Sequence, residues 1–175
     1  MKQLILGGAR SGKSAIAEKL AIGTSKSLIY IATAQVGDTE MKQRIELHQE
    51  RRSAKWETVE EAIELTTAIK QYNNEKYCIV VDCLTLWLTN LLLLNNEEIF
   101  SKQLNDFVDS IDELQADLII VSNETSMGIV PLGELSRRYI DEAGLMHQRI
   151  SKKSDRVIMT IAGLPMFLKG EPYAI

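Results

Sequence analysis

The segment at residues 7–14 constrains the fold of this chain more than any other, because its letters GGARSGKS fit the pattern G-x-x-x-x-G-K-[ST]. The apolar run Gln3–Leu6 before it is typical of a buried strand, and SAIAEKLA after it has the apolar spacing of a helix. In that context a glycine-rich turn binds phosphate, since its N–H groups and the positive end of the helix dipole point at the anion. The sequence therefore predicts a phosphate loop at residues 7–14.

Individual residues of this loop have predicted roles in binding a nucleoside triphosphate. Gly7, Gly8 and Gly12 allow the backbone to curl so that successive N–H groups face phosphate oxygens. Lys13 is expected to reach the β- and γ-phosphates, and the Ser14 hydroxyl is expected to ligate Mg²⁺. These assignments predict that the chain binds a magnesium–nucleotide complex.

A second magnesium-binding residue is predicted at Asp82, which ends the apolar run CIVVD. Enzymes with this kind of loop hold an acid at the end of a buried strand, where it orients the magnesium ion. An aspartate at a strand end is weak evidence alone, since turns favour the same residue. The loop and the acid together predict triphosphate binding, but they do not separate a kinase from a GTPase, an ATPase motor or a nucleotidyl transferase.

The rest of the chain alternates short apolar runs with segments of helical periodicity. The predicted strands are Gln3–Leu6, Leu28–Ala32, Cys78–Val81, Leu118–Val121 and Val157–Ile161. The predicted helices lie near residues 13–22, 40–53, 59–72, 85–94, 98–115 and 134–151. Strands that are apolar at successive positions suit a parallel sheet covered on both faces. We therefore expect an α/β fold of the P-loop NTPase type, with three α/β/α layers around a mostly parallel, doubly wound sheet, and one domain over residues 1–175.

Composition limits the partners and the location. A net charge of −4 and a hydrophobic share of 45% predict a globular protein without general attraction to nucleic acid. The most apolar segment, LTLWLTNLLLL, is shorter than the ~20 residues that a membrane span needs, and it carries polar residues. We expect a cytoplasmic protein, in which Cys78 and Cys83 are buried structural thiols and His147 is a partly buried structural residue.

The second histidine, His48, lies in EMKQRIELHQERR, which has the periodicity of a helix. Three arginines stand at i−4, i+3 and i+4 from it, on or beside the same helical face: Arg44, Arg51 and Arg52. A neutral imidazole beside guanidinium groups that hold phosphate could attack an α-phosphorus. The alternative is a solvated helix face, on which Glu46 and Glu50 pair with neighbouring arginines. Periodicity alone favours that alternative.

Several stretches together resemble one enzyme family, the bifunctional adenosylcobinamide kinase/adenosylcobinamide-phosphate guanylyltransferases of cobalamin biosynthesis. The matching stretches are GGARSGKS at 7–14, YIATAQ at 30–35, DTEMKQRIELHQERR at 38–52, WETVE at 56–60, VVDCLTLWLTN at 80–90, VSNETSMGIVP at 121–131 and RRYIDEAGLMHQ at 137–148. VSNE…GIVP and DCLTLW are not general features of phosphate-loop proteins, so the resemblance is specific and spans nearly the whole chain.

The resemblance implies two reactions and a covalent intermediate. The enzyme is expected to phosphorylate the aminopropanol hydroxyl of adenosylcobinamide with ATP or GTP, then to transfer GMP from GTP to that phosphate and release pyrophosphate. In this family the second reaction passes through a guanylylated histidine, and the matching position here is His48. The resemblance therefore favours the catalytic interpretation of His48 over the solvated helix face.

The resemblance also implies the nucleotide contacts and a homo-oligomeric state. The implied contacts are Gly7, Gly8, Ala9, Arg10, Ser11, Gly12, Lys13, Ser14, Ala32, Thr33, Ala34, Gln49, Glu50, Arg51, Arg52, Glu60 and Asp82. Glu60 is an acid that could accept from N1–H and the N2 amino group of guanine, although a first-turn helix acid is an equally good interpretation.

Two other functions remain open at this stage. A small-molecule kinase without a covalent intermediate needs the same phosphate loop and makes His48 dispensable. A GTP-binding switch would also use the loop, but the sequence has no N-K-x-D guanine motif after any predicted strand.

Overall fold

The structure is a computed structural model that describes residues 1–34 and 55–172. The strands within these ranges form one seven-stranded sheet in the order β3-β2-β4-β5-β1-β6-β7. They are β1 Lys2–Gly7, β2 Ser27–Ala32, β3 Trp56–Glu60, β4 Tyr77–Asp82, β5 Asp117–Asn123, β6 Arg156–Ile161 and β7 Leu164–Lys169. All neighbours pair in parallel except β6 and β7, which form an antiparallel hairpin.

Helices cover both faces of this sheet. Those in the described ranges are α1 Lys13–Ile22, α2 Leu65–Gln71, α3 Leu84–Leu93, α4 Glu97–Ser110 and α5 Glu134–Lys153, with a 3₁₀ turn at Ile111–Glu113. Successive residues of each central strand point to opposite faces. One face carries Leu4, Ile79 and Ile120 against α2 to α5, and the other carries Ile5, Val80 and Ile119 against α1. The predicted three-layer α/β/α fold with a mostly parallel sheet is confirmed.

The predicted elements agree best where the chain is buried on two sides. All five predicted strands are present, and the helices predicted at 13–22, 85–94 and 134–151 are found within two residues of their limits. The helix predicted at 98–115 is α4 followed by the 3₁₀ turn. The helix predicted at 40–53 lies outside the described residues.

At the edges of the sheet one prediction was wrong and one strand was missed. The segment predicted as a helix at 59–72 begins as strand β3, and only Leu65–Gln71 is helical. β3 is an edge strand with exposed glutamates, so it lacks the continuous apolar run that marked the central strands. β7 was not predicted, because it also lies at an edge and most of its residues are exposed.

The apolar segment LTLWLTNLLLL is a packed helix rather than a free apolar surface. In α3, Trp87 is fully buried, its ring lies 5.3 Å from that of Phe107 and its Nε1 donates to the Ile63 carbonyl at 2.8 Å. Only the end of the segment is open to solvent, at Leu93 and Leu94.

Of the three residues predicted to be structural, Cys78 and His147 are buried and Cys83 is half-buried. Burial raises the pKa of Cys78 and of Cys83 to about 11, so both remain neutral thiols. His147 on α5 is buried, and its Nε2 lies 2.8 Å from the hydroxyl of Ser122 on β5. Burial lowers the pKa of His147, and the nearby Glu124 carboxylate acts in the opposite direction.

The lowered pKa of His147 predicts a pH dependence of stability. Above about pH 6.5, the ordinary pKa of histidine, His147 is neutral in both the folded and the unfolded chain and costs the protein no stability. Below that pH the unfolded chain binds a proton at this residue more readily than the folded protein does, so the folded protein loses stability. We expect the urea midpoint of the wild-type protein to decrease when the pH is lowered from about 7.5 to about 5.5. The urea midpoint of His147→Gln should decrease less over the same interval. Parallel pH curves for the two proteins would contradict this assignment.

Candidate active site

Residues from separate parts of the sequence meet at one edge of the sheet. Because β1, β2, β3, β4 and β5 are parallel, their carboxyl ends lie side by side, where α/β proteins bind ligands. Gly7 at the end of β1 is paired with Asn123 at the end of β5. Ala32 at the end of β2 is paired with Asp82 on one side and Glu60 on the other. The predicted phosphate loop, the predicted magnesium ligand Asp82 and the predicted guanine-binding residue Glu60 therefore lie at the same edge.

The phosphate loop has a backbone that requires glycine at two of its three predicted positions. Gly7 has a φ of 153°, and a Cβ built on it would lie 2.4 Å from the Thr160 carbonyl oxygen on β6. Gly12 has a φ of 96°, and a Cβ there would lie 3.2 Å from the Cα of Gly163. Gly8 differs, since no atom lies within 4 Å of its would-be Cβ. The packing of the protein therefore leaves room for a Cβ at position 8.

Neighbouring elements hold the loop by its backbone. The Gly163 N–H, in the turn between β6 and β7, donates to the Ser11 carbonyl at 2.9 Å. The Glu124 N–H, just after β5, donates to the Gly7 carbonyl at 3.0 Å. The first turn of α1 has no side-chain cap at Gly12, so its N–H groups remain available for an anion. This geometry suits the binding of phosphate oxygens.

Lys13 supplies the positive charge of the loop from a buried position. Its Nζ donates to the Gly8 carbonyl at 2.6 Å, which holds the ammonium group inside the curve of the loop. Burial lowers the pKa of Lys13, while the nearby Asp82 and Cys83 act in the opposite direction. A desolvated ammonium with few competing waters interacts strongly with phosphate.

Asp82 lies at the end of β4, as predicted, and its orientation is fixed. The Tyr30 hydroxyl on β2 donates to its Oδ2 at 2.8 Å. A carboxylate oxygen and the half-buried Ser14 hydroxyl are hard oxygen donors of the kind that Mg²⁺ prefers. Within the described ranges no group of three His, Cys, Asp or Glu could hold a metal by itself. The donors fit a magnesium ion that takes its remaining ligands from nucleotide phosphate and water.

The segment after β2 is tied to the start of α3. The Thr33 hydroxyl donates to the Cys83 carbonyl at 2.6 Å and accepts from the Cys83 N–H at 3.0 Å. The Asn90 side chain donates to the Thr33 carbonyl at 2.8 Å. The Thr33 side chain is therefore used within the protein, and nucleotide contacts at Ala32, Thr33 and Ala34 stay a prediction.

Glu60 is found in a different element from the one expected for a helix acid. It is the last residue of β3 and is exposed, so its interpretation as a first-turn helix acid is wrong. Its position beside Ala32 leaves the guanine contact as a prediction. The predictions for His48, Gln49, Glu50, Arg51 and Arg52 fall on residues outside the described ranges.

One feature of this edge was not predicted as a functional element from the sequence. After β5 the chain continues through Glu124 into a segment whose apolar side chains face solvent, with Met127 exposed by 79%, Ile129 by 96% and Leu132 by 96%. A groove of about 310 Å³ between α3 and α5 adjoins it, lined by Leu92, Leu93, Leu135, Tyr139 and Ile140 among others. In the sequence this segment was marked only by the stretch VSNETSMGIVP, as part of the family resemblance.

The fold of this chain is similar to that of a solved structure. The flagellar accessory protein FlaH from Methanocaldococcus jannaschii has a similar fold, with a TM-score of 0.51 at 14% identity over 97% of this chain and 78% of that one. A likeness at this identity supports the fold alone.

In the described residues, no helix is long and apolar enough to cross a membrane.

Sequence relatives extend over almost the full chain. The bifunctional adenosylcobalamin biosynthesis protein CobP of Pseudomonas aeruginosa is 52% identical over 172 residues, which cover 98% of this chain and 99% of that protein. The corresponding CobU protein of Escherichia coli is 34% identical and covers 97% of this chain and 100% of that protein. The family model described as cobinamide kinase/cobinamide phosphate guanyltransferase matches residues 3–168. With its phosphate loop placed at the carboxyl edge of the sheet, the chain belongs to the cobinamide kinase/cobinamide phosphate guanyltransferase family.

Proposed function

We propose that this protein catalyses two consecutive reactions of adenosylcobalamin biosynthesis at one nucleotide site. It phosphorylates adenosylcobinamide with ATP or GTP, and it then transfers GMP from GTP to adenosylcobinamide phosphate. The match to the family model over residues 3–168 carries this proposal. The phosphate loop, with Lys13 and Asp82 at the same edge of the sheet, supplies the chemistry that both reactions need.

In both reactions the loop binds and orients the phosphate chain. The N–H groups of the loop and of the first turn of α1 donate to phosphate oxygens, and Lys13 neutralises their charge. Ser14 and Asp82 would hold magnesium, which offsets the charge that develops on the phosphates when it is bound. The remaining implied contacts are Ala32, Thr33, Ala34, Gln49, Glu50, Arg51, Arg52 and Glu60. Glu60 favours guanine by accepting from its N1–H and N2 amino group.

For GMP transfer, His48 acts as the nucleophile. A neutral imidazole nitrogen forms a bond to the α-phosphorus of GTP, and the bond to the bridging oxygen breaks as pyrophosphate leaves with the electron pair. A phosphate oxygen of adenosylcobinamide phosphate then attacks the same phosphorus and releases His48. The family membership and the arginines of EMKQRIELHQERR support this role.

We take residues 1–175 as one catalytic domain, because the seven strands form one sheet and the family match covers nearly all of the chain. We infer a homo-oligomer in the cytoplasm, without nucleic acid or membrane partners, from the family resemblance and the net charge of −4.

The covalent intermediate gives the first test of this function. We expect a GMP-sized increase in intact-protein mass after incubation with magnesium and GTP, no such increase with ATP, and none with His48→Asn, because only the imidazole can form the bond. The adduct should be lost in acid, as expected of a phosphoramidate. His147→Gln is the matched control, since it removes the buried structural histidine, and it should still form the adduct.

The products separate the proposal from its alternatives. Pyrophosphate release with an adduct on His48 supports the guanylyltransferase. ADP or GDP release without any adduct, from folded protein that binds nucleotide, would favour a plain small-molecule kinase. Slow release of GDP and inorganic phosphate alone would favour a GTP-binding switch.

The packing of the phosphate loop can be tested with a matched pair of glycine variants. Gly7→Ala forces a Cβ to within 2.4 Å of the Thr160 carbonyl, whereas Gly8→Ala adds a Cβ with no atom inside 4 Å. We expect Gly7→Ala to lower the free energy of unfolding by about 1–3 kcal/mol and Gly8→Ala to change it by less than about 0.5 kcal/mol. Urea unfolding without nucleotide measures both. Equal losses in the two variants would show that packing at Gly7 is not limiting.

A further inference from the structure

Glu124 directly follows β5 and lies beside the phosphate loop. Strand β1 has two neighbours in the sheet, β5 and β6. The turn after β6, residues 161–163, contains no titratable side chain, and the chain after β5 begins with Glu124. Within the described ranges, Glu124 is therefore the first acid that follows the carboxyl end of either strand beside the phosphate loop. The following inference rests on the proposed function, since it concerns the kinase half of that activity.

Backbone contacts fix Glu124 against the phosphate loop. Its N–H donates to the Gly7 carbonyl at 3.0 Å, which continues the ladder in which Gly7 is paired with Asn123. The preceding Asn123 N–H donates to the Thr85 hydroxyl at 2.8 Å, at the start of α3. Neighbouring strands lie about 4.8 Å apart, so the position of Glu124 is set within a few ångströms of the loop.

The carboxylate of Glu124 is oriented but not neutralised. Its Oε1 accepts from the Ser126 N–H at 2.6 Å and also from the Ser126 hydroxyl. Both donors are uncharged, and no Lys or Arg of the described ranges forms a salt bridge with Glu124. The residue is half-buried, and its second oxygen remains available to accept a proton.

The other acids at this edge differ from Glu124 in their role or in their distance from β1, since Glu60 and Glu61 belong to or follow the edge strand β3. Asp82 accepts from the Tyr30 hydroxyl and is the predicted magnesium ligand. Glu61 accepts from the N–H groups of Ile63 and Glu64 through one oxygen, each at 2.8 Å, just before α2 begins. Glu60 lies on edge strand β3, with β2, β4 and β5 between it and β1.

We propose that Glu124 is the general base of the kinase reaction. Its free carboxylate oxygen takes the proton of the acceptor hydroxyl as that oxygen forms a bond to the γ-phosphorus. The bond between the γ-phosphorus and the bridging oxygen breaks, and the nucleoside diphosphate leaves with the electron pair. The proton on Glu124 then passes to water, which restores the carboxylate for the next turnover.

The same residue has no proton to remove in the second reaction. There the acceptor is a phosphate monoester, whose second pKa is about 6, so near pH 8 its oxygens are already ionised. The histidine nucleophile must likewise be neutral before it attacks. A base at Glu124 is therefore required for phosphoryl transfer and dispensable for GMP transfer, and the two activities of one protein can be compared directly.

The experiment measures both half-reactions of the full chain near pH 8 in the wild-type protein, Glu124→Gln and Glu134→Gln. Kinase activity is followed with cobinamide and ATP, and GMP transfer with chemically prepared cobinamide phosphate and GTP. Glutamine keeps the size, the backbone contact to Gly7 and an acceptor for Ser126, but it cannot take a proton. Glu134 is an exposed acid in the first turn of α5, so Glu134→Gln is the matched control.

The expected result is selective. Glu124→Gln should lower the kinase kcat by about 100-fold or more, the usual contribution of general-base catalysis, while the KM for cobinamide and the rate of GMP transfer change by less than about threefold. Glu134→Gln should keep both activities.

Two outcomes would overturn the inference. A kinase kcat for Glu124→Gln within about fivefold of wild type would show that no base acts there. An equal loss of kinase and GMP transfer would show that Glu124 supports the loop rather than accepts a proton. An inactive wild-type kinase would instead contradict the proposed function, so failure of the inference and failure of the function give different results.

Discussion

The carboxyl end of β1 is packed so tightly that it permits no side chain, and the geometry of the site depends on this contact. Gly7 lies against the Thr160 carbonyl on β6, and its own carbonyl accepts from Glu124 after β5. The loop therefore leaves the sheet with a direction set by backbone atoms on both sides. A second close approach, between Gly12 and Gly163, fixes the point where α1 begins. Together these contacts aim the free N–H groups of α1 at the edge of the sheet.

The charges at this edge are arranged around the phosphate loop. Lys13 is buried, and its ammonium group donates to the Gly8 carbonyl. Asp82 ends β4, which lies two strands away from β1, and its carboxylate accepts from the Tyr30 hydroxyl. Because β5 stands between β1 and β4, a gap of one strand separates the loop from the magnesium acid. Asn123, the last residue of β5, and Glu124, which follows it, lie in that gap. An acceptor that approaches the end of the phosphate chain there would meet side chains from β5.

The sequence predicts the centre of this molecule better than its edges, and the cause is burial. Central strands such as Cys78–Val81 are covered on both faces, so every residue is apolar and the pattern is distinct. β3 and β7 each have one neighbouring strand and exposed residues, so their patterns resemble loops or helix starts. Glu60 was open to interpretation as a helix acid for this reason. Long-range pairing with β2, which no local pattern contains, decides its position.

Some residues of the candidate site could be predicted from the sequence and others could not. The phosphate loop and Asp82 could be predicted, because each is a local motif attached to a buried strand. Glu124 could not, since VSNE is an ordinary strand end until the register places Asn123 beside Gly7. His48 was a weaker case, because helical spacing alone favoured a solvated face and only the family resemblance favoured catalysis. Residues that act through tertiary neighbours become visible only when the sheet order is known.

Two reactions on one loop impose different requirements on the protein, and the proposed residues follow that difference. Phosphoryl transfer to a hydroxyl needs a proton acceptor beside the γ-phosphate, because an alcohol is a poor nucleophile until it loses its proton. GMP transfer needs reaction at the α-phosphorus, closer to the base of the nucleotide, and its acceptor is already an anion. A base on the strand beside the loop and a nucleophile on a separate segment satisfy both requirements without moving the phosphate loop. The proposed roles of Glu124 and His48 therefore assign the two chemistries to different parts of the chain, while the loop binds the nucleotide in both.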